Sequence, residues 1–152
     1  MRLVGSKEAK AVTGLSADQL REWAGRRGLV APDVPASGKG SQARFSWQTL
    51  VVLRIAKVLK ADLHVELGAH RALFKELQER LAGQPFHALS DLVVVIIVGQ
   101  RVSLRRTSDL IEAVDAPVVL VRLEPHLAAL RHGFGIPEPI VQLPLFPAVG
   151  LQ

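Results

Sequence analysis

The stretch GLSADQLREWAGRRGLVAP, residues 14–32, constrains the fold more than any other part of the chain. Ser16 followed by Gln19 forms a capping box at a helix start, and the leucines on either side of the box form a hydrophobic staple. Gly28 is the residue type that ends a helix in the left-handed conformation. These signals predict one short helix over residues 17–27 whose entry angle and both ends are held in place.

A second helix is predicted immediately before it, over residues 7–13, with Ser6 as its cap and Gly14 at its end. Because only a few residues separate the two helices, they form a helix-turn-helix pattern. Within the helix over residues 17–27, which is the second in chain order, Leu20 and Trp23 face a core, and the polar residues between them face outwards. Other helical hairpins share this pattern, so it does not by itself establish a function.

The next segment, DVPASGKGSQ, is rich in proline, glycine and serine, which is typical of a loop. Residues 42–45 then alternate between polar and apolar, as in a short strand, and together with the loop they predict a β-hairpin wing. The alternative is a flexible linker. Ser46 is the expected cap of a third helix over residues 47–60, and Asp62 of a fourth that extends to residue 82.

These pieces, over about residues 6–60, resemble the DNA-binding domain of the MerR family of bacterial transcription regulators. The resemblance rests on AVTGLSADQLREWAGRRGLVAP and ARFSWQTLVVLRIAKVL, and within them on Gly14-Leu15-Ser16, Leu20-Arg21-Glu22-Trp23, Gly28-Leu29-Val30, Arg44-Phe45 and Ser46. It implies a winged helix-turn-helix whose second helix lies in the major groove of double-stranded DNA. It also implies that Ser16 and Arg21 are helix contacts and that Arg44 is the contact of the wing.

Charge and geometry add further candidate DNA-binding residues, namely Gln19, Arg26, Lys39 and Gln42. The arginines and the lysine would contact phosphates and supply most of the affinity, which falls as the salt concentration rises. Gln19 would recognise adenine. We interpret Arg27 and Arg54 as solvated surface groups.

The chain departs from the family pattern in three respects. Trp23 and Phe45 stand where the family usually has tyrosines, so the hydroxyl groups that would bond phosphate are missing. These regulators dimerise through a long C-terminal helix, and this chain has no heptad repeat that would predict such a helix. The chain has no cysteine, so the thiolate chemistry of the metal- and redox-sensing branches is not expected.

The positive charge is confined to the first half of the chain. Residues 1–85 hold 14 Lys and Arg against 8 Asp and Glu, whereas residues 86–152 hold 5 against 6. A basic half joined to a near-neutral half indicates a polyanion-binding module attached to a different unit. A basic solvated surface without a partner is the alternative interpretation.

The second half is predicted to contain a βαβ unit. Residues 92–98 are almost all β-branched and predict a buried strand, residues 102–114 a helix, and residues 118–123 a second buried strand. Two strands cannot bury both faces of a sheet, so we expect them to pair across a dimer or to pack on the helices. The predicted fold class is therefore α+β. An N-terminal MerR-like winged helix-turn-helix domain (1–84) is followed by a small α/β, βαβ-like dimerisation or effector domain (85–134), which includes a short helix over residues 126–133. An extended proline-rich C-terminal tail (135–152) completes the chain.

The tail contains a second resemblance, in the sequence QLPLF. It is similar to the short motif by which bacterial replication and repair proteins dock on the DNA polymerase sliding clamp. By this resemblance the clamp would be contacted by Gln142, Leu143, Leu145 and Phe146. The alternative is that these apolar residues pack on the protein's own domain.

The sequence contains no phosphate-binding loop, nucleophile elbow or acid–base pair, so we expect neither catalysis nor a cofactor. The 5 histidines, at positions 64, 70, 87, 126 and 132, lack metal-ligand spacing, so no metal site is expected. Arg101, Arg105 and Arg106 form a small basic cluster, interpreted as a solvated helix start. No apolar run is long enough for a membrane span, and the charges that follow Ser6 do not fit a signal peptide, so we expect a cytoplasmic, nucleoid-associated protein.

Taken together, these patterns predict a sequence-specific double-stranded DNA-binding protein, acting as a homodimer in bacterial transcription regulation. One alternative is a DNA-binding replication or repair accessory protein that docks on the sliding clamp through its tail. Another is an antitoxin-type repressor whose second half holds a toxin partner.

Overall fold

In a computed structural model of the chain, the structure is described for residues 2–97, 101–109 and 116–136. It mixes helices with one three-stranded sheet, as the α+β class predicts. The helices are α1 (Ser6–Thr13), α2 (Ala17–Arg21), α3 (Trp47–Ala61), α4 (Arg71–Leu81) and α5 (Glu124–Phe134), and the strands are β1 (Leu92–Ile97), β2 (Arg101–Arg106) and β3 (Val118–Arg122).

Helix α1 begins one residue earlier than its sequence predicts. The cap is Gly5, whose N–H donates to the Glu8 carboxylate at 3.1 Å, and Ser6 is the first residue of the helix. The expectation that Ser6 caps this helix is therefore wrong, because the N–H that the Glu8 carboxylate accepts from belongs to Gly5, the residue before Ser6. The helix ends at Gly14, which has a φ of 71° in the left-handed region, as predicted.

Helix α2 begins with the predicted capping box. The Ser16 hydroxyl accepts from the Gln19 N–H at 3.0 Å, and the Gln19 side-chain oxygen accepts from the Ser16 N–H at 3.0 Å. The helix continues beyond Arg21 as a π-helical turn, Glu22–Arg26, and the chain leaves it at Gly28, whose φ is 58°. We refer to residues 17–26 as the α2 segment.

The predicted hairpin is present in a reduced form. Val34 and Arg44 exchange both backbone hydrogen bonds, at 3.2 and 2.8 Å, and Val4 and Phe45 do the same at 2.9 Å each. These two isolated bridges replace the short strand expected over residues 42–45. The loop that they close, residues 35–43, is called the hairpin loop below.

The third helix agrees with its prediction, whereas the start of the fourth does not. Ser46 caps α3, its hydroxyl accepting from the Thr49 N–H. Asp62 lies at the C-terminal end of α3 and does not begin the next helix. After it the chain turns through His64, which has a positive φ of 52°, and helical structure resumes only at a 3₁₀ turn, Leu67–His70, before α4.

The sheet is antiparallel, with strand order β2-β1-β3, so the predicted βαβ unit is wrong. Residues 101–106, which were expected to begin a helix, form β2. Their sequence RVSLRR alternates with a period of two, and Val102 and Leu104 pack on the core from one face of the strand. Only three residues separate β1 from β2, which is too few for a parallel crossover. Residues 110–115 lie outside the described residues.

One continuous hydrophobic cluster joins both sides of residue 84. It includes Leu50 of α3, Phe74 of α4, Val94 of β1 and Leu127 of α5. The predicted units 1–84 and 85–134 therefore share one core. The predicted short helix over residues 126–133 is confirmed and is slightly longer, as α5. Within the described ranges, no helix is long and apolar enough to cross a membrane.

Arg54 connects three helices and is not a solvated group, contrary to its sequence interpretation. From the middle of α3, its guanidinium donates to the Val12 carbonyl of α1 and, at 3.2 Å, to Nδ1 of His126 in α5. Burial lowers the pKa of Arg54 from its ordinary value. Burial and the charge of Arg54 lower the pKa of His126 to about 4, so this imidazole is neutral at pH 7.

Replacement of Gly133 by alanine should destabilise the fold. A Cβ at this position of α5 would lie 2.3 Å from Cγ2 of Val12, so the Val12 side chain or the packing of α1 on α5 would have to shift. We expect Gly133→Ala to lower the free energy of unfolding by about 1–3 kcal/mol, measured by urea denaturation. Gly25→Ala is the control, because nothing lies within 4 Å of its Cβ position. If Val12→Ala does not reduce the cost of Gly133→Ala in the double variant, the assigned contact is wrong.

The buried His126 should make stability depend on pH. Its pKa of about 4 in the folded state lies below the unfolded value of about 6.5, so its contribution is complete above pH 6.5 and is lost as the pH falls towards 4. Between pH 7 and pH 5 this one group should lower the free energy of unfolding by roughly 2 kcal/mol. His126→Gln, which keeps an acceptor for Arg54 but does not titrate, should flatten that part of the profile. An unchanged slope would contradict the assignment.

Candidate nucleic-acid interface

A groove of about 640 Å³ lies between α1, the α2 segment and the hairpin loop. Arg21 of α2 and Gln42 of the loop, both predicted contact residues, line it. Lys10 of α1 also lines it. The groove therefore brings together polar groups from three separate elements on the basic half of the chain.

The first turn of α2 is exposed, although its polar side chains are already occupied. Ser16 and Gln19 are solvent-exposed and bond each other's backbone N–H groups in the capping box. Bidentate recognition of adenine requires both the oxygen and the nitrogen of a glutamine amide. The oxygen of Gln19 is used in the cap, so the NH₂ group remains as the donor that faces outwards.

The arginines of the α2 segment differ in what they contact. Arg21 lies 3.4 Å from the Asp18 carboxylate, and both side chains are largely exposed, at 64% and 91%. An ion pair in water of this kind is weak, so Arg21 is free to exchange this partner for another anion. Arg27 pairs with Glu22 at 2.8 Å, whereas Arg26 is exposed at the end of the π turn.

The hairpin loop and the bridge that closes it present a second group of exposed polar side chains, namely Lys39, Gln42 and Arg44. Gly38 and Gly40 have φ values of 83° and 85°, which allow the loop to turn beside Lys39. Gln42 approaches the start of α1 closely. A Cβ at Gly5 would lie 3.3 Å from its side-chain oxygen.

Of the seven predicted DNA-binding residues, the groove lining includes Arg21 and Gln42. The other five, Ser16, Gln19, Arg26, Lys39 and Arg44, are exposed on the same elements but do not line it. Lys10 was missed by the sequence argument, which considered only the second helix and the wing. The helical period of α1 contained the signal, because the burial of Ala9, Val12 and Thr13 directs the opposite side of the helix away from the core.

Three hydrogen bonds hold the α2 segment and its flanks against the remaining helices. The ammonium group of Lys57 in α3 donates to the Gly14 carbonyl at 3.0 Å, immediately before the segment. After the segment, the Ala31 carbonyl accepts from the Gln78 amide of α4 at 2.9 Å. The Asp33 carboxylate accepts from the Ser46 N–H at 2.6 Å, at the start of α3. The segment is therefore fixed at both ends.

The other predicted sites are not part of this surface. Arg101, Arg105 and Arg106 lie on β2 rather than at a helix start. In the described part of the chain, no three histidine or acidic residues are grouped so as to hold a metal ion. The predicted clamp contacts, Gln142, Leu143, Leu145 and Phe146, lie outside the described residues.

Comparison with known proteins adds no assignment to this surface. No protein-family model matches the chain, and a search of curated proteins finds no similar one.

Proposed function

We propose that the protein binds double-stranded DNA in a sequence-specific way and regulates transcription as a dimer. The observation that supports this most directly is the α2 segment itself. It is a short, capped helix, fixed at both ends, with its first turn exposed beside a loop that carries cationic groups.

The anchoring of the α2 segment fits insertion into a major groove. Leu20 and Trp23 are buried and hold the segment from below, while Ser16, Gln19 and Arg21 face solvent. A recognition helix of the helix-turn-helix class contacts base edges through its N-terminal residues, which are the exposed ones here. Rigid anchoring keeps these donors at one angle to the bases and lowers the entropic cost of binding.

The distribution of charge fits a phosphate backbone. Arg21, Arg26, Lys39 and Arg44 place four exposed cations on the α2 segment and the hairpin, and Lys10 adds a fifth in the groove between them. Contacts of this type supply sequence-independent affinity that weakens with salt. The resemblance to the MerR family supports the regulatory role, and the QLPLF motif leaves a clamp-linked role as the second candidate.

Removal of one cation from the α2 segment and one from the hairpin should abolish DNA binding. Arg21→Ala combined with Arg44→Ala removes two exposed guanidinium groups, so the free energy of unfolding should change by less than about 1 kcal/mol. Binding to a fluorescent mixed-sequence duplex should become undetectable by anisotropy at physiological salt. At low salt, the slope of log K against log salt should fall by about 2.

The matched control is Arg71→Ala combined with Arg106→Ala. It removes the same charge from two exposed positions outside the proposed interface, on α4 and β2. This control should bind DNA nearly as well as the natural chain. Equal losses in the two double variants would mean that only net charge matters, and retained binding by the Arg21 and Arg44 variant would disprove the interface.

Gln19→Glu separates the structural role of the capping box from DNA binding. Glutamate at this position also completes a capping box, and its charge is favourable at a helix N-terminus, so stability should be unchanged or higher. The new carboxylate would face the phosphates and bases, and affinity should fall at least about tenfold. Unchanged affinity would place Gln19, and with it the first turn of α2, outside the interface.

A further inference from the structure

Strand β3 forms an open edge of the sheet. It pairs with β1 on one side, and within the described residues no strand pairs with its other side. The N–H of Leu123 donates to the Leu92 carbonyl at 3.2 Å, so Leu123 directs its backbone groups towards β1. Because this direction alternates along an antiparallel strand, the backbone groups of Val118, Leu120 and Arg122 point away from the sheet.

The two edges of the sheet differ in how they are protected. Strand β2 carries three arginines in six residues, and charged side chains discourage pairing with another strand. Strand β3 carries only Arg122, and its Leu120 is 52% exposed. An edge that is left both apolar and unpaired is favourable for the addition of another strand.

Exposed apolar side chains gather beside this edge. Leu63, just after α3, is 49% exposed and lines the same shallow surface as Val118 and Leu120. These three residues are among only four large hydrophobic side chains that are exposed in the described part of the chain; the fourth is Val34 at the base of the hairpin. We call the surface formed by Leu63, Asp62 and β3 the β3 surface.

The charges of the β3 surface identify its occupant. The chain has a net charge of +5, and the positive excess lies in residues 1–85, so two copies repel each other most strongly where those residues form the surface. The β3 surface contains one cation, Arg122, and one anion, Asp62, around an apolar centre. A neutral patch that contains both signs opposes contact with a second copy least, and it offers no excess of positive charge to a nucleic acid or an acidic protein.

We propose that the β3 surface is the interface with a second copy of this chain. The two β3 strands pair antiparallel across a two-fold axis at Leu120 and join the two sheets into one of six strands. In this register Leu120 faces its own counterpart and Val118 faces Arg122. The backbone groups that form the new hydrogen bonds are those that point outwards at these three positions.

This inference rests on the proposed function in one respect, because a symmetric dimer places two recognition helices on two half-sites. The β3 surface is well placed for that purpose. Asp62 of this surface, with Val58 and His126 beside it, also lines the neighbouring depression at Gly14, shortly before the α2 segment begins. Pairing through β3 would therefore set the separation of the two α2 segments from close to their N-terminal ends.

The oligomeric state provides the first test. The paired edge is short, so we expect dissociation in the micromolar range, about 1–100 μM. Sedimentation equilibrium up to about 200 μM should show twice the chain mass of 16.5 kDa. Leu120→Lys, at an exposed position, should remain folded and stay monomeric throughout. Val34→Lys, at the other exposed apolar site, should dimerise normally.

A cysteine cross-link tests the register. The natural chain has no cysteine, so Leu120→Cys introduces a single thiol. Two such thiols that face each other across the axis on hydrogen-bonded partners, with Cα atoms about 5.5 Å apart, lie within disulfide range. Mild oxidation should convert most of this variant to a covalent dimer. Val34→Cys should cross-link at least about tenfold more slowly, because the proposed dimer does not hold the two thiols at this position next to each other.

Three results would overturn the proposal. They are a natural chain that stays monomeric up to about 200 μM, a Leu120→Lys variant that still dimerises, and equal cross-linking of the two cysteine variants. A monomer that dimerises only after deletion of residues 137–152 would also overturn it, since the tail would then cover the surface. A dimer that fails to bind DNA would refute the proposed function alone. DNA binding by a natural chain that stays monomeric would refute this inference and the dimeric part of the proposed function, and would leave the proposed DNA binding standing.

Discussion

The burial of α3 is the constraint on which the rest of the structure depends. Leu50, Val51, Leu53 and Ile55 are fully buried, although they point in different directions around the helix. A helix that is apolar on nearly every side must be covered on nearly every side, and α1, α4 and α5 all contact it. Removal of a single buried leucine from such a helix costs about 2–5 kcal/mol, a large part of the stability of a small domain. Arg54 is a partly buried charge among these apolar residues, and its guanidinium bonds to α1 and α5.

The same helix also determines the position of the proposed DNA-binding surface. Lys57 and Ser46, near its two ends, bond the backbone before the α2 segment and the loop after it. The α2 segment is too short to be stable by itself, so its conformation depends on its caps and on these attachments. A loss of packing around α3 would therefore disturb the proposed DNA-binding surface without any change in the residues that form it.

The sheet packs on the same hydrophobic core as α3. Its inner face, with Val94 and Ile96, belongs to the common core, while its β3 edge lies beside the C-terminal end of α3. The C-terminal half of α3 thus lies beside both the start of the α2 segment and the β3 edge. In the proposed dimer, the separation of the two α2 segments would therefore be set through packed side chains rather than through a linker.

The sequence by itself determined the features that depend on near neighbours in the chain. The capping box of Ser16 and Gln19, the left-handed glycines at 14 and 28, and the cap of α3 at Ser46 were all predictable, because each depends on contacts within a few residues. Most of the candidate DNA-binding surface followed from these features and from the exposed charges, whereas Lys10 appeared only once α1 was placed. Tertiary structure alone decided the role of Arg54, the late start of α4 and the conformation of residues 101–106. Arg54 is internal because helices distant in sequence pack around it, and Val102 and Leu104 form a strand because β1 supplies the partner and the core covers their face.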